Sequence, residues 1–202
     1  MRFLINEFPN MDFEPEKEGY TRMKEPSMEK LLLIAFPVGL FVCCVLFFLA
    51  QVFTQTQLKI FYFLDIGLPE IAEIILFIVG FVVFNVLITV LHEGVHALFF
   101  PEGIRSERVG FGFHKTGAFF AFYTEALSKN RMIITMLMPF VLFTLLPWLL
   151  VIILDCNIPL LMMALLYHAF LASGDLVGLY LVIKNTPRNS VLKNKGYYTY
   201  YK

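Results

Sequence analysis

The 202-residue chain lacks an excess of charge of either sign. Sixteen Lys and Arg residues balance sixteen Asp and Glu residues, so the formal net charge at pH 7 is zero. A stripe rich in Lys and Arg is missing, and so is a glycine-rich phosphate loop. Since a nucleic-acid-binding protein carries a basic footprint, we expect no nucleic-acid partner.

Cysteine is scarce as well. The three cysteines are Cys43, Cys44 and Cys156, and neither their odd count nor their spacing fits a disulfide framework. We expect them to be packing residues. Residues 1–29 mix acidic and basic residues with proline before any long apolar run, unlike a cleavable secretory signal. The first apolar run is therefore expected to be retained.

Apolar residues are abundant instead. Hydrophobic residues make up 58% of the chain, 23 residues are Phe, and the mean hydropathy is +0.72. Four runs are long enough to cross a hydrocarbon layer about 30 Å thick. They predict a mainly α, polytopic membrane protein with four transmembrane helices, near Leu31–Phe53, Ile71–Phe100, Met132–Leu154 and Ile158–Ile183. The second run exceeds a simple crossing, so its C-terminal part should be buried, tilted or extended beyond the lipid.

Lys and Arg alternate between the loops. Five precede the first run, five lie between the second and third, and five follow Ile183, whereas Lys59 alone separates the first two runs. The positive-inside rule then places both termini and the 101–131 loop in the cytoplasm. This predicts a cytoplasmic arm (1–29), a membrane domain (30–185) and a cytoplasmic tail (186–202). Trp148 and the C-terminal tyrosines are expected at the lipid headgroups.

His92, Glu93 and His96 form a His-Glu-x-x-His pattern inside the second run. Residues four apart share one helix face, so the two imidazoles can bind one cation and Glu93 falls beside them as a general base. An ionisable residue near the bilayer centre costs about 2.5 to 3.5 kcal/mol. A bound metal would offset that cost, so the pattern predicts a Zn²⁺ site with Glu93 as the catalytic residue.

Asp175 is the candidate third metal ligand. In the predicted topology it lies at a depth similar to that of His92 and His96. Its small neighbours permit close helix approach and some local unwinding; they are Ser173, Gly174 and Gly178. A helix-interface carboxylate is the alternative role. His168 lies two helical turns deeper, about 10 Å away along a straight helix, so we expect it to support the site or the fold and not to bind the metal.

A β-hairpin is predicted between the second and third helices. Val109, Phe111 and Phe113 alternate with small or polar residues, and a second β-prone run, Ala118–Tyr123, follows a turn. The hairpin could simply cover the helices. It could also bind an extended substrate by main-chain hydrogen bonds. In that case the substrate-binding residues are Gly110, Phe111, Gly112 and Phe113.

Two other functions would use the same polar cluster. The five side chains could form an ion or proton pathway in a noncatalytic membrane protein; they are those of His92, Glu93, His96, His168 and Asp175. Alternatively, His92 or His96 could ligate haem together with His168. Metal content and a haem absorption band would distinguish these hypotheses.

The order of these elements resembles the site-2 protease class of intramembrane metalloproteases, and more narrowly the bacterial putative zincin peptidase family of small multi-pass proteins. His92-Glu93-x-x-His96 matches the zinc helix, the Val109–Tyr123 hairpin resembles the β-element after it, and Gly174-Asp175 stands where the class has its aspartate ligand. The resemblance covers about residues 71–185. It implies zinc-dependent cleavage of a membrane-embedded or membrane-proximal protein or peptide in a bacterial cell membrane.

Overall fold

The computed structural model describes residues 2–53, 69–115, 117, 119–155 and 158–202. This part of the chain is mainly helical, with two small sheets. Its elements in chain order are β1 (Arg2–Ile5), β2 (Thr21–Arg22), α1 (Met28–Phe53), α2 (Glu70–Phe99), β3 (Val109–Phe113), β4 (Phe119–Tyr123), β5 (Leu127–Ser128), α3 (Lys129–Phe140), α4 (Leu146–Ile153), α5 (Pro159–Leu171), α6 (Ser173–Asn185), β6 (Val191–Lys195) and β7 (Tyr198–Tyr201).

The long apolar helices suggest a membrane protein. Among the described residues, α1, α2 and the 129–153 helical stretch are each long and apolar enough to cross a bilayer. The bent pair α5 and α6 would be a fourth span if the two count together. Large apolar side chains remain exposed along α1 and α2, among them Phe41, Phe48, Phe77 and Val82. Lipid would cover such surfaces.

The third apolar run is not one regular helix. Between α3 and α4 the backbone forms a π-helical turn, Val141–Leu145, in which the Leu146 N–H donates to the Val141 carbonyl five residues earlier. Such turns hold one extra residue and often occur at functional sites. Here the turn carries Thr144, whose side chain is fully buried.

The fourth apolar run, predicted as one helix, is broken. Helix α5 ends at Leu171, α6 begins at Ser173, and the two are bent by 42°. The break places Asp175 in the first turn of α6. The dipole of α6 favours a carboxylate at that position.

Helix α2 is buried only near its C-terminal end, at Val95, His96 and Ala97, as the length of the apolar run predicted. Two side chains of α3 bind the last carbonyls there. The Thr135 hydroxyl donates to the Phe99 carbonyl at 3.2 Å, and the Arg131 guanidinium donates to the Phe100 carbonyl at 3.2 Å. Because these carbonyls have no partner inside the helix, the contacts fix α2 just beyond His96.

The first sheet has the strand order β1-β3-β4. Strands β3 and β4 pair antiparallel, with Phe111 opposite Ala121, and lie at the two runs predicted to form a hairpin. Strand β1 pairs parallel to β3 over its whole length. The prediction that Gly110, Phe111, Gly112 and Phe113 offer a free edge to a substrate is therefore wrong, because both edges of β3 are paired.

The glycines of β3 have a packing role. A Cβ atom on Gly112 would lie 2.3 Å from the ring of Phe120, and one on Gly110 would lie 2.5 Å from the ring of Phe122. These two rings of β4 lie across the glycines. Gly110 and Gly112 thus provide the space that allows the aromatic side chains to cover the sheet.

The second sheet has the order β2-β7-β6-β5 and is antiparallel throughout. It joins a strand of the 1–29 segment, predicted as a cytoplasmic arm, to two strands of the 186–202 segment, predicted as a tail. Its core side chain Leu192 packs with Met23, Leu127, Ala97 and other residues at the ends of α2, α3 and α6. The sheet thus covers the end of the bundle nearest His96.

A second apolar cluster joins α1, α4 and α5. Trp148 is buried there, and its indole N–H donates to the Leu46 carbonyl at 3.1 Å, so the expectation that Trp148 lies at the lipid headgroups is wrong. Cys43 packs between helices as predicted, with its thiol 3.1 Å from the Leu166 carbonyl. Cys156 and Lys59 lie outside the described residues.

We expect a Gly39→Ala substitution to destabilise the protein by about 1 to 3 kcal/mol, the usual effect of overpacking. A Cβ atom there would lie 2.9 Å from the Phe170 ring and 3.0 Å from the Ser173 hydroxyl, at the break between α5 and α6. Gly80→Ala is the matched control, because no atom lies within 4 Å of its Cβ position in α2. Thermal unfolding in detergent compares the two, and equal melting temperatures would contradict this account of the break.

Candidate metal centre

Three donor atoms converge between α2 and α6. The Nε2 atom of His92 lies 2.8 Å from Oδ2 of Asp175 and 3.2 Å from Nε2 of His96. The third separation, from Nε2 of His96 to Oδ2 of Asp175, is 3.3 Å. The side chains of His92 and His96 are only 12% and 11% exposed. The structure therefore brings Asp175 to two histidines of α2, although it lies 83 positions after His92 in the sequence.

The orientation of His96 follows from a proline. Pro139 lies within α3 and has no N–H to donate to the carbonyl of Thr135, four residues earlier. That carbonyl is free to accept from Nδ1 of His96, at 2.8 Å. Because a carbonyl can only accept, Nδ1 carries the proton, and the neutral ring presents the lone pair of Nε2 to His92 and Asp175.

The other nitrogen of His92 faces His168. The separation between Nδ1 of His92 and Nε2 of His168 is 3.1 Å, and Nδ1 of His168 lies 2.7 Å from the Thr144 hydroxyl. His168 thus contacts a candidate ligand directly. Sequence reasoning missed Thr144, because nothing local indicated the π-helical turn.

Glu93 lies beside the histidines and is held by β4. Its carboxylate accepts a hydrogen bond of 2.7 Å from the Ala121 N–H. Donor atoms of Glu93, His92 and His96 all lie within 4.8 Å of one another, so this cluster could hold a metal ion. The Oδ2 atom of Asp175 also lies within this distance, at 2.8 Å from Nε2 of His92 and 3.3 Å from Nε2 of His96.

A half-open cleft of about 400 Å³ leads to these residues. Its wall is mostly apolar and aromatic, with Phe119, Phe120 and Met136 near Glu93 and Asp175.

On the rim, the phenol of Tyr123 donates to the Glu102 carboxylate at 3.2 Å, and burial raises the pKa of Tyr123. Hydrogen bonds from Ser106 and Arg108 lower the pKa of Glu102. The rim residue Tyr123 is thus held in its neutral form.

The donor set fits a zinc ion. A tetrahedral zinc site with bonds of about 2.0 to 2.1 Å separates its ligand atoms by about 3.3 Å, close to the three separations found here. Two neutral imidazoles with one carboxylate is a common ligand set for catalytic zinc. A haem between His92 and His168 does not fit, because rings 3.1 Å apart at their nearest nitrogens leave no room for a porphyrin.

Comparison with known proteins bears on the same segment. Residues 85–191 match the model of a family described as "Putative zincin peptidase", and this stretch contains both histidines, Glu93, His168 and Asp175. The match covers more than half of the chain. The protein belongs to this family. No curated protein and no solved structure gave a significant match.

Family membership suggests a metallopeptidase and implies zinc as the metal. The His92–Glu93–His96 cluster is where that ion could bind. The matched stretch begins inside α2, so the family model does not include α1 or the first two strands. Strand β1 contacts the matched region through β3, and α1 contacts it through α5 and α6.

We expect the purified chain to bind about one zinc ion, the stoichiometry of a three-residue catalytic site. Replacing His96 by Ala should reduce the zinc content to a trace, because the pair of imidazoles is lost. His114→Ala is the control, since His114 stacks on Phe8 in the first sheet region and lies outside the cluster. Metal analysis after chelation and reconstitution measures both, and equal zinc losses in the two variants would contradict this assignment.

Proposed function

We propose that the protein is a zinc-dependent intramembrane peptidase that hydrolyses a membrane-embedded or membrane-proximal protein substrate. One observation carries the proposal: the triangle formed by His92, His96 and Asp175, with Glu93 beside it at the end of an aromatic cleft. Family membership supports the metallopeptidase part. The membrane setting is supported by the long apolar helices.

In this proposal Asp175 is the third metal ligand. Its carboxylate oxygen approaches both imidazoles to within 3.3 Å, whereas Glu93 is engaged by the Ala121 N–H. A position in the first turn of α6 favours an ionised carboxylate, which is the form that binds a cation. Three protein ligands leave the fourth tetrahedral position open, as in other catalytic zinc sites.

Zinc in such a site acts as a Lewis acid toward water and a peptide carbonyl. Glu93 is the general base: its carboxylate accepts a proton from the attacking water and later delivers it to the leaving amine. The Ala121 N–H keeps one carboxylate oxygen in place. The other oxygen remains available for the proton.

We place the protein in a cell membrane with four spans, α1, α2, the 129–153 stretch and the α5–α6 pair. The distribution of Lys and Arg supports cytoplasmic positions for both termini and for the sheets. The cleft then opens toward the cytoplasm, and lipid surrounds the exposed faces of α1 and α2. A substrate helix would have to unwind locally before one of its carbonyls could reach the site.

Strand β4 is the edge at which we propose an extended substrate docks. It ends the first sheet among the described strands. The Ala121 N–H points to Glu93 and away from β3, so by alternation Phe119 and Tyr123 direct their backbone groups to the same open side. A strand added there would lie along the cleft beside the general base.

Glu93→Gln should reduce turnover by about 10²- to 10⁴-fold, the range of general acid–base catalysis, while zinc is retained. Glu125→Gln is a matched control, because Glu125 lines the same cleft but does not contact the metal cluster. Comparing the peptide populations of membranes that contain each variant would identify a substrate, and its cleavage rate gives the measurement. Undiminished cleavage by the Glu93→Gln protein would exclude Glu93 as the base.

Docking at β4 predicts that N-methylation of a peptide slows its cleavage only when the methyl groups are on the alternate amides that face β4. Methyl groups on alternate amides of a cleaved peptide should slow its cleavage by about tenfold when those amides face β4, since each lost hydrogen bond costs about 0.5 to 1.5 kcal/mol. The same peptide methylated one residue out of phase should be cleaved normally. Equal effects of the two phases would contradict strand addition.

An ion or proton pathway is the second candidate. The observation that favours it is the unbroken series of contacts from Thr144 through His168 and His92 to Asp175. Zinc content separates the two candidates. A chain that binds no zinc but conducts protons in vesicles would support the pathway and not the peptidase.

A further inference from the structure

His92 and His96 are oriented in different ways. The Nδ1 atom of His96 faces a backbone carbonyl, which permits only one neutral tautomer. The Nδ1 atom of His92 faces another imidazole nitrogen, Nε2 of His168, at 3.1 Å. Either nitrogen of that pair can be the donor, so the tautomer of His92 depends on that of His168.

Thr144 can pair with His168 in either arrangement. Its hydroxyl lies 2.7 Å from Nδ1 of His168 and, since a hydroxyl both donates and accepts, it can pair with either tautomer. When His168 donates from Nδ1 to Thr144, its Nε2 accepts from Nδ1 of His92. The Nε2 atom of His92 is then unprotonated and can bind a cation together with Nε2 of His96.

The opposite arrangement also satisfies every contact. If Thr144 donates to His168 and His168 donates to His92, the proton on Nε2 of His92 points at Oδ2 of Asp175, 2.8 Å away. The two arrangements contain the same number of protons. Passing from one to the other needs a rotation of the Thr144 hydroxyl and a shift of one proton on each ring.

We propose that His168 and Thr144 are positioning residues: together they supply the acceptors that stabilise the Nδ1-protonated tautomer of His92, the form whose Nε2 atom can bind a metal ion. This inference rests on the proposed function, because it assumes that His92 is a ligand. Both residues are at most 1% exposed, so water does not replace either contact. Partners of ligand imidazoles commonly change metal affinity by about 10- to 100-fold.

The test measures zinc affinity of the full-length purified protein in detergent, by competition with a chelating dye. His168→Met should weaken zinc binding by about 10- to 100-fold, because Met fills similar space without a comparable acceptor. His168→Gln should bind nearly as tightly as the parent, because its side-chain oxygen can accept from Nδ1 of His92. Cobalt substitution gives a second readout, and the visible Co²⁺ spectrum of the Gln variant should match that of the parent.

Thr144 provides an independent arm of the test. Thr144→Val should weaken zinc binding by about 2- to 12-fold, the effect of one hydrogen bond, and Thr144→Ser should restore it. Tyr167→Phe is the control: Tyr167 precedes His168, but its hydroxyl bonds to Asn85 and takes no part in these contacts. Melting temperatures of all variants identify any that fail to fold.

The outcomes separate this inference from the proposed function. If the parent protein binds no zinc, the proposed function fails. If the parent binds zinc and His168→Met binds it equally well, only the positioning role fails. If Gln and Met at position 168 weaken binding equally, the ring itself is required, and tautomer control is overturned.

Discussion

The close approach of two imidazole nitrogens and a carboxylate oxygen is the constraint on which the rest of the structure depends. Atoms with lone pairs separated by about 3 Å repel one another unless a proton or a cation lies between them. Burial of the two imidazoles makes that requirement stricter, because side chains that are only 12% and 11% exposed have little access to water. Four elements supply the groups of this centre. Helix α2 supplies the imidazoles, α6 the carboxylate, α3 the carbonyl that contacts His96, and β4 the N–H that donates to Glu93.

Much of the centre could be predicted from the chain. The i, i+4 spacing of His92 and His96 fixes their common face, and the distribution of Lys and Arg predicts a matching depth for Asp175. The small residues from Ser173 to Gly178 indicate local unwinding, but the positions of the two helix breaks could not be predicted, because apolar residues continue through Ala172 and through the Val141–Leu145 turn. His168 is expected to support the site without binding the metal, and it contacts the candidate ligand His92 at 3.1 Å.

The sheets show a second limit of sequence reasoning. Local alternation predicted β3 and β4, but the parallel pairing of β1 with β3 joins residues 2–5 to residues 110–113, and no local signal specifies a partner at that separation. The sequence therefore predicted β3 as the edge strand that binds substrate, although β1 covers that edge. Contacts between the 1–29 and 186–202 segments reinforce this closure: the Gly196 N–H donates to the Pro9 carbonyl at 3.1 Å, and the Asn10 amide donates to the Asn194 carbonyl at 3.0 Å. Both segments line the cleft.

The π-helical turn between α3 and α4 has an evolutionary consequence. Such a turn can arise when one residue is inserted into an α-helix, and the helix on either side keeps its hydrogen bonds. A deletion of one residue within Val141–Leu145 would then leave a continuous helix of about the same length. It would also rotate α3 and α4 by about 100° relative to one another, so the Thr135 carbonyl that contacts His96 and the Thr144 hydroxyl that contacts His168 could not both keep their places. The extra residue therefore holds these two helical segments in the phase that both histidine contacts need.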